Sequence, residues 1–180
     1  RPTPCRRYGL GHTSPWTPAG STAMQQLMRF AIITACYWLV AWGTFKIDQA
    51  SCGVTSIWIA SALMVGYALH RPAMSLPWLL AAVVVAVTLN GTVVHGGRTD
   101  LAFLGGLINA FEVFAVCEVL RRLGLRPGAV LSDRDVFAFL VLCVLLVPAV
   151  TAVFGASVRS PVTDVPWMQL WIDWWRADAF

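Results

Sequence analysis

From Val136 to Val158 the chain carries no charged side chain, and that run constrains its folding more than any other feature. The hydrocarbon core of a bilayer takes roughly 20 helical residues, and inside it the backbone must satisfy its own polar groups. Further apolar blocks lie at Phe30–Phe45, Val54–His70, Trp78–His95 and Leu101–Leu120, and a sixth starts near Trp167 and still runs at Phe180. Composition agrees, because 58% of the 180 residues are hydrophobic and 12% are charged. A soluble domain of this length carries roughly 25% charge to cover its surface. The expected fold is therefore all-α, a polytopic transmembrane helix bundle of five spans plus the start of a sixth.

The links "RPAMSLP", "GGRTD", "GLRPGAVLSD" and "SPVTDVP" are short and rich in turn residues, which makes successive spans antiparallel neighbours. Alternation puts Arg1, Arg6, Arg7, Arg29, Arg71, Arg121, Arg122, Arg126 and Arg134 on one side of the membrane, nine of the 13 basic residues. Lys46, Arg98 and Arg159 fall on the other, and Arg176 lies within the last segment. By the positive-inside rule the N-terminus is cytoplasmic. "SDRD" offers Ser132 or Asp133 as the cap of the fifth span, and "TDVPW" offers Asp164 as the cap of the last.

Residues 1–23, rich in Pro, Gly, Ser and Thr with interspersed arginines, have no helical period and are expected to form a disordered basic tail. Met24 is a sensible start, so the tail is open to being non-native, and residues 24–180 are expected to form a single membrane domain cut short at its C-terminus. Arg29 gives the first block a basic flank, but no A-x-A pattern closes it, so it is read as an uncleaved span.

Catalytic motifs are lacking: there is no nucleophile elbow, phosphate loop or HExxH pattern. The five cysteines form neither a CxxC pair nor a Cys/His cluster, and Cys36, Cys117 and Cys143 fall inside spans as small apolar fillers. His70 and His95 end the second and third spans without a ligand partner. No metal, cofactor or nucleic acid is expected, and the net charge of +4 resides in short loops where it sets orientation.

The informative residues are the polar ones inside the spans. On a helical wheel Gly105, Asn109, Glu112 and Val116 share one narrow stripe, and small and hydrogen-bonding residues together mark a helix–helix contact rather than a lipid face. Glu118 lies about 120° away and stands four residues before Arg122, so Glu118, Arg121 and Arg122 are expected to form a charge cluster at the cytoplasmic face. Glu112, at mid-depth, must be neutral, paired, or beside a wet cavity. Its candidate partners are Asn109 on its own stripe, Asn90 in the third span, and Asp173, Arg176 and Asp178 in "DWWRAD", where Asp173 and Arg176 have ion-pair spacing. Two readings stay open, a polar network that fixes packing and the lining of a ligand or proton site. Trp167, Trp171, Trp174 and Trp175 read as an interfacial belt or as an aromatic cage.

Several stretches in order resemble the bacterial membrane-associated sensor domain of the first type, the MASE family. "SIWIASALMVGYAL" resembles its Trp-containing second span, and "LPWLLAAVVVAVTLNG" its third, with Asn90 in the Asn position. "GGLINAFEVFAVCEVLRRLG" is similar to its Asn-x-x-Glu helix closed by paired arginines, here Asn109, Glu112, Arg121 and Arg122. "DRDVFAFL" with "AVFG" resembles its fifth span, and "WIDWWRADAF" its Trp-rich helix with Asp178 in the Asp position. The chain departs at Ile59 and Ala60, where the family has prolines, and at Ala177, where it has Gly. The resemblance implies a sensory input module in a bacterial inner membrane, contacting lipid and an unknown small ligand. It also implies a C-terminal output domain of diguanylate cyclase, phosphodiesterase or histidine kinase type that is missing from these residues, and it admits a homodimer. From the residues alone, a small transporter or channel component is the alternative, with Pro148 as a kink in the fifth span. An enzyme using Glu112 or Asp178 as its acid lacks a second placed catalytic group.

Overall fold

The computed structural model of the chain describes residues 23–50, 59–70, 76–94, 96–125 and 132–179. The expected tail, Cys5, Cys52, His95, Arg71 and Arg126 lie outside the described residues. Every regular element among those described is helical: α1 (Ala23–Ala50), α2 (Ile59–His70), α3 (Leu76–Val94), α4 (Thr99–Arg122), α5 (Asp133–Val162) and α6 (Trp167–Ala179). α1, α3, α4 and α5 are long and apolar enough to cross a membrane, whereas α2 has 12 residues and α6 has 13. The fold is thus the expected helical membrane bundle.

Helix ends follow local chemistry more than hydropathy. α1 extends beyond Phe30–Phe45 at both ends: "AMQQLMR" is made of good helix formers, and "KIDQA" has no Gly or Pro to break the backbone ladder past the apolar block. α5 opens on a capping box: the Ser132 Oγ accepts from the Asp135 N–H at 3.3 Å, and Asp135 accepts from the Ser132 N–H at 3.0 Å. α4 closes on a Schellman motif, with Gly124 at φ +69° and the Leu125 N–H donating to the Leu120 carbonyl at 3.1 Å. Asp164 does not cap α6; it lies in the preceding bend, and the Leu170 N–H donates instead to the Pro166 carbonyl at 3.1 Å.

α4 occupies the centre, packing on α2, α3 and α5. Its contact with α3 is antiparallel and very close. A Cβ on Gly106 would lie 2.9 Å from the Val84 carbonyl oxygen, and one on Gly91 would lie 2.7 Å from the Ala102 Cβ. In lipid, where apolar association gains nothing from water, such small-residue contacts are what let helices approach. The same logic places Ala41, Ala60, Ala82, Ala86 and Ala110 in the buried core around Tyr37 and Val113. Leu27, Ile32, Phe103, Phe114, Phe137 and Phe154 are exposed on the outside, the surface that acyl chains cover.

The closeness at Gly106 was not the one the helical wheel suggested. Gly105, on the predicted stripe, is half-buried and has open space where a Cβ would go, so the glycine at the helix contact is its neighbour. We expect Gly106→Leu to destabilise the purified protein by about 1–3 kcal/mol through overpacking. Gly105→Ala should leave the midpoint of thermal unfolding in detergent unchanged or slightly raised, since Ala favours helix.

Candidate functional site

α4 turns Asn109, Glu112 and Val116 into the protein, as their shared stripe requires. Asn109 satisfies itself locally, its Nδ2 donating to the Gly105 carbonyl at 2.9 Å, so it is not the partner of Glu112. That partner is Asp178: the two carboxyl groups face one another within hydrogen-bonding reach, across the contact between α4 and α6. The Trp174 indole also reaches Asp178. One oxygen of each acid, Glu112 Oε2 and Asp178 Oδ2, is buried and meets no hydrogen-bond donor. Two facing carboxyl groups away from water are not both left as bare carboxylates: they share a proton, or a cation balances the second charge.

Both acids line a pocket of about 330 Å³ bounded by α2, α4, α5 and α6. Its wall is otherwise largely hydrocarbon, with Val65, Val113, Phe139 and Val144 among the contributors, apart from the Ser61 hydroxyl and the Cys143 thiol. Ser61 is buried and its Oγ has no partner. Its position beside the acids was not legible in the sequence: a lone serine in an apolar helix carries no signal until α2 is docked on α4.

Asp178 is delivered to this place by tryptophan. Trp167, Trp171 and Trp175 recur every four residues and stack along α6, with centroid separations of 6.5 and 5.4 Å. Their indole N–H groups donate to α5: Trp167 to the Ser157 Oγ at 3.1 Å, Trp171 to the Ala149 carbonyl at 3.0 Å and Trp175 to the Leu145 carbonyl at 3.1 Å. Both carbonyls flank Pro148, which has no N–H to continue the backbone ladder and follows a wide π-helical turn at Leu140–Leu146. Trp174 lies flat on Gly155, where any side chain would collide with the ring, and Arg159 stands 5.5 Å above that ring. The tryptophans, read from the sequence as a belt or a cage, clamp two helices together.

Other candidates lie apart. Asn90 is buried in the π-helical last turn of α3, which packs on α1 and α4, and does not line the pocket. Asp173 and Arg176 are exposed; Asp173 accepts twice from the Gln169 Nε2, at 3.0 Å each, and forms no ion pair with Arg176. At the far end of α4, Glu118 holds Arg121 and Arg122 together, at 2.7 Å to each, the cluster expected from spacing. Among the described residues no three of His, Cys, Asp or Glu gather as a metal site.

A helical membrane bundle with an inward acid on a central Asn-x-x-Glu helix defines a class of membrane domain. The MASE1 family model matches residues 26–180, and the chain belongs to the MASE1 family. This is a membrane-associated sensory domain found in signalling proteins. Neither the curated proteins nor the solved structures contain a match.

Replacing Trp171 by Phe removes one indole donor while keeping most of the stack, and we expect a loss of about 1 kcal/mol in thermal unfolding. Glu112→Gln keeps a hydrogen-bonding group against Asp178 and should fold; Glu112→Leu leaves Asp178 with the Trp174 indole alone and should lower the melting temperature more. Equal melting temperatures for wild type, Gln and Leu would exclude any stabilising role for the acid pair.

Proposed function

We propose that this domain is the sensory input module of a bacterial signalling protein in the inner membrane, with its N-terminus cytoplasmic. It acts by changing how α6 sits against α4, and α6 passes that change to an output domain of diguanylate cyclase, phosphodiesterase or histidine kinase type. Membership of the MASE1 family supports a sensory role, and the excess of arginines on one side supports the orientation. The observation that carries the mechanism is the contact of Glu112 with Asp178 over a pocket. Asp178 belongs to the last described helix, so whatever perturbs the acid pair acts directly on the segment leading onward. A ligand shifts such an equilibrium only by its differential affinity for the two helix arrangements. A group buried in one arrangement and released in the other supplies that difference.

A second reading, a transporter component, draws on the wide turn and Pro148 of α5, since Cys143 and Val144 in that turn line the pocket. Interrupted helices beside a mid-membrane cavity are a transporter feature.

Two measurements test the proposal. Reading the coding frame beyond Phe180 should reveal a cyclic-dinucleotide or kinase module, whose activity Glu112→Gln alters in the full-length protein. Solute flux in reconstituted vesicles, abolished by Glu112→Gln, would instead favour the transporter. For orientation, a membrane-impermeant thiol reagent applied outside intact cells should label Arg98→Cys and spare Arg122→Cys in a cysteine-free background. The reverse pattern would invert the threading.

A further inference from the structure

Resting on the sensory reading, the pocket also points to the chemistry of its ligand. Three polar side chains contributed by three helices, Ser61 of α2, Glu112 of α4 and Asp178 of α6, meet in one wall that is otherwise hydrocarbon apart from the Cys143 thiol. Each has a buried oxygen without a partner, and Glu112 and Ser61 are only 5% and 6% exposed. Orphaned acceptors of this kind are rare in folded proteins, and each calls for a group that satisfies it. Here a donor bearing positive charge fits best, because two of the three acceptors are carboxyl groups that already face one another.

We propose that the pocket binds a small organic cation, an ammonium head on a hydrocarbon body. The head lies against the facing Glu112 and Asp178 carboxyl groups with the Ser61 hydroxyl beside it, and the body lies along Val65, Val113, Phe139 and Val144. A singly charged head balances one carboxylate; the other carboxyl keeps its proton, so the filled site is neutral in its apolar surroundings. A bare divalent metal fits less well. Ca²⁺ and Mg²⁺ take about six or more oxygen ligands, and no metal-binding group of three acidic, His or Cys residues exists among the described residues. A volume of about 330 Å³ stands at the small end of ligand pockets, which run from roughly 300 to 1,000 Å³. Binding would draw α2, α4 and α6 onto one charge, and so couples ligand to helix position without any covalent step.

The test is equilibrium dialysis of benzylammonium against the full chain in phosphatidylcholine nanodiscs, with empty nanodiscs correcting for partition into lipid. Benzyl alcohol, sodium and calcium serve as comparison solutes. Saturable binding of benzylammonium, at least about tenfold tighter than benzyl alcohol, is expected, because a charge-assisted hydrogen bond is lost with the amine. Glu112→Gln and Asp178→Asn should each weaken it by about tenfold or more and Ser61→Ala by less. Either acid variant alone suffices if the other fails to give a monodisperse protein. Equal affinity for the alcohol, unchanged affinity in the folded acid variants, or a saturable response to sodium or calcium alone would each overturn the proposal. If benzylammonium does not bind while Glu112→Gln still alters output, the ligand class falls and the sensory reading stands. If it binds and the full-length output ignores both ligand and mutation, the sensory reading falls instead.

Discussion

Hydrocarbon offers a carboxyl group nothing to bond with, and the arrangement around α4 is an answer to that constraint. Glu112 lies halfway along the central helix, buried, and is met by Asp178 arriving from α6. For that meeting to occur, α6 must be held in one register along α5 and α4 must lie close against α3. The first condition is supplied by three stacked indoles, each donating to α5. The second is supplied by Gly106 and Gly91, whose missing side chains let two backbones nearly touch. Without either, the acid would face acyl chains or an unfilled gap.

The α5–α6 pair uses backbone carbonyls of α5 as acceptors. A straight α-helix engages nearly all of its carbonyls in its own ladder, leaving little for a neighbour. Each carbonyl has a second lone pair, however, and Leu145, in the π-helical turn, and Ala149, in the regular helix just after Pro148, each accept from an indole. Indole N–H groups at four-residue spacing reach those two carbonyls. Carbonyls of one helix thus become the docking points of another, and Gly155 completes the contact by letting Trp174 lie flat on the backbone.

On the sensory reading this construction has a dynamic consequence. α6 packs extensively on α5 but meets α4 chiefly through the acid pair beside the pocket, whereas α3 and α4 interlock through small residues over a long face. Directional contacts can be exchanged for others at modest free-energy difference, and close-packed ones resist gradual change. A switching element is therefore better sited at the α4–α6 junction than in the α1–α3–α4 core. Family membership supplies the sensory role; the contrast in packing indicates which helix is free to express it.

Apolar run length alone determined that the chain crosses a membrane as helices, and residue spacing alone determined that Asn109, Glu112 and Val116 turn inward and that Glu118 clamps two arginines. These are local properties, set by 3.6-residue periodicity and by the price of charge in lipid. The partner of Glu112 was legible only as a short list, because the list depends on which distant helix lies opposite. Docking of α6 on α5 and of α2 on α4 chose Asp178, excluded Asn90, exposed Asp173 and Arg176, and brought in Ser61. Docking of α3 on α4 made Gly106 rather than Gly105 the close-contact glycine, and docking of α6 on α5 gave the tryptophans their role as a clamp. Periodicity gives the direction a side chain takes from its own helix axis; what it meets there is fixed by how separate helices pack, which no single segment encodes.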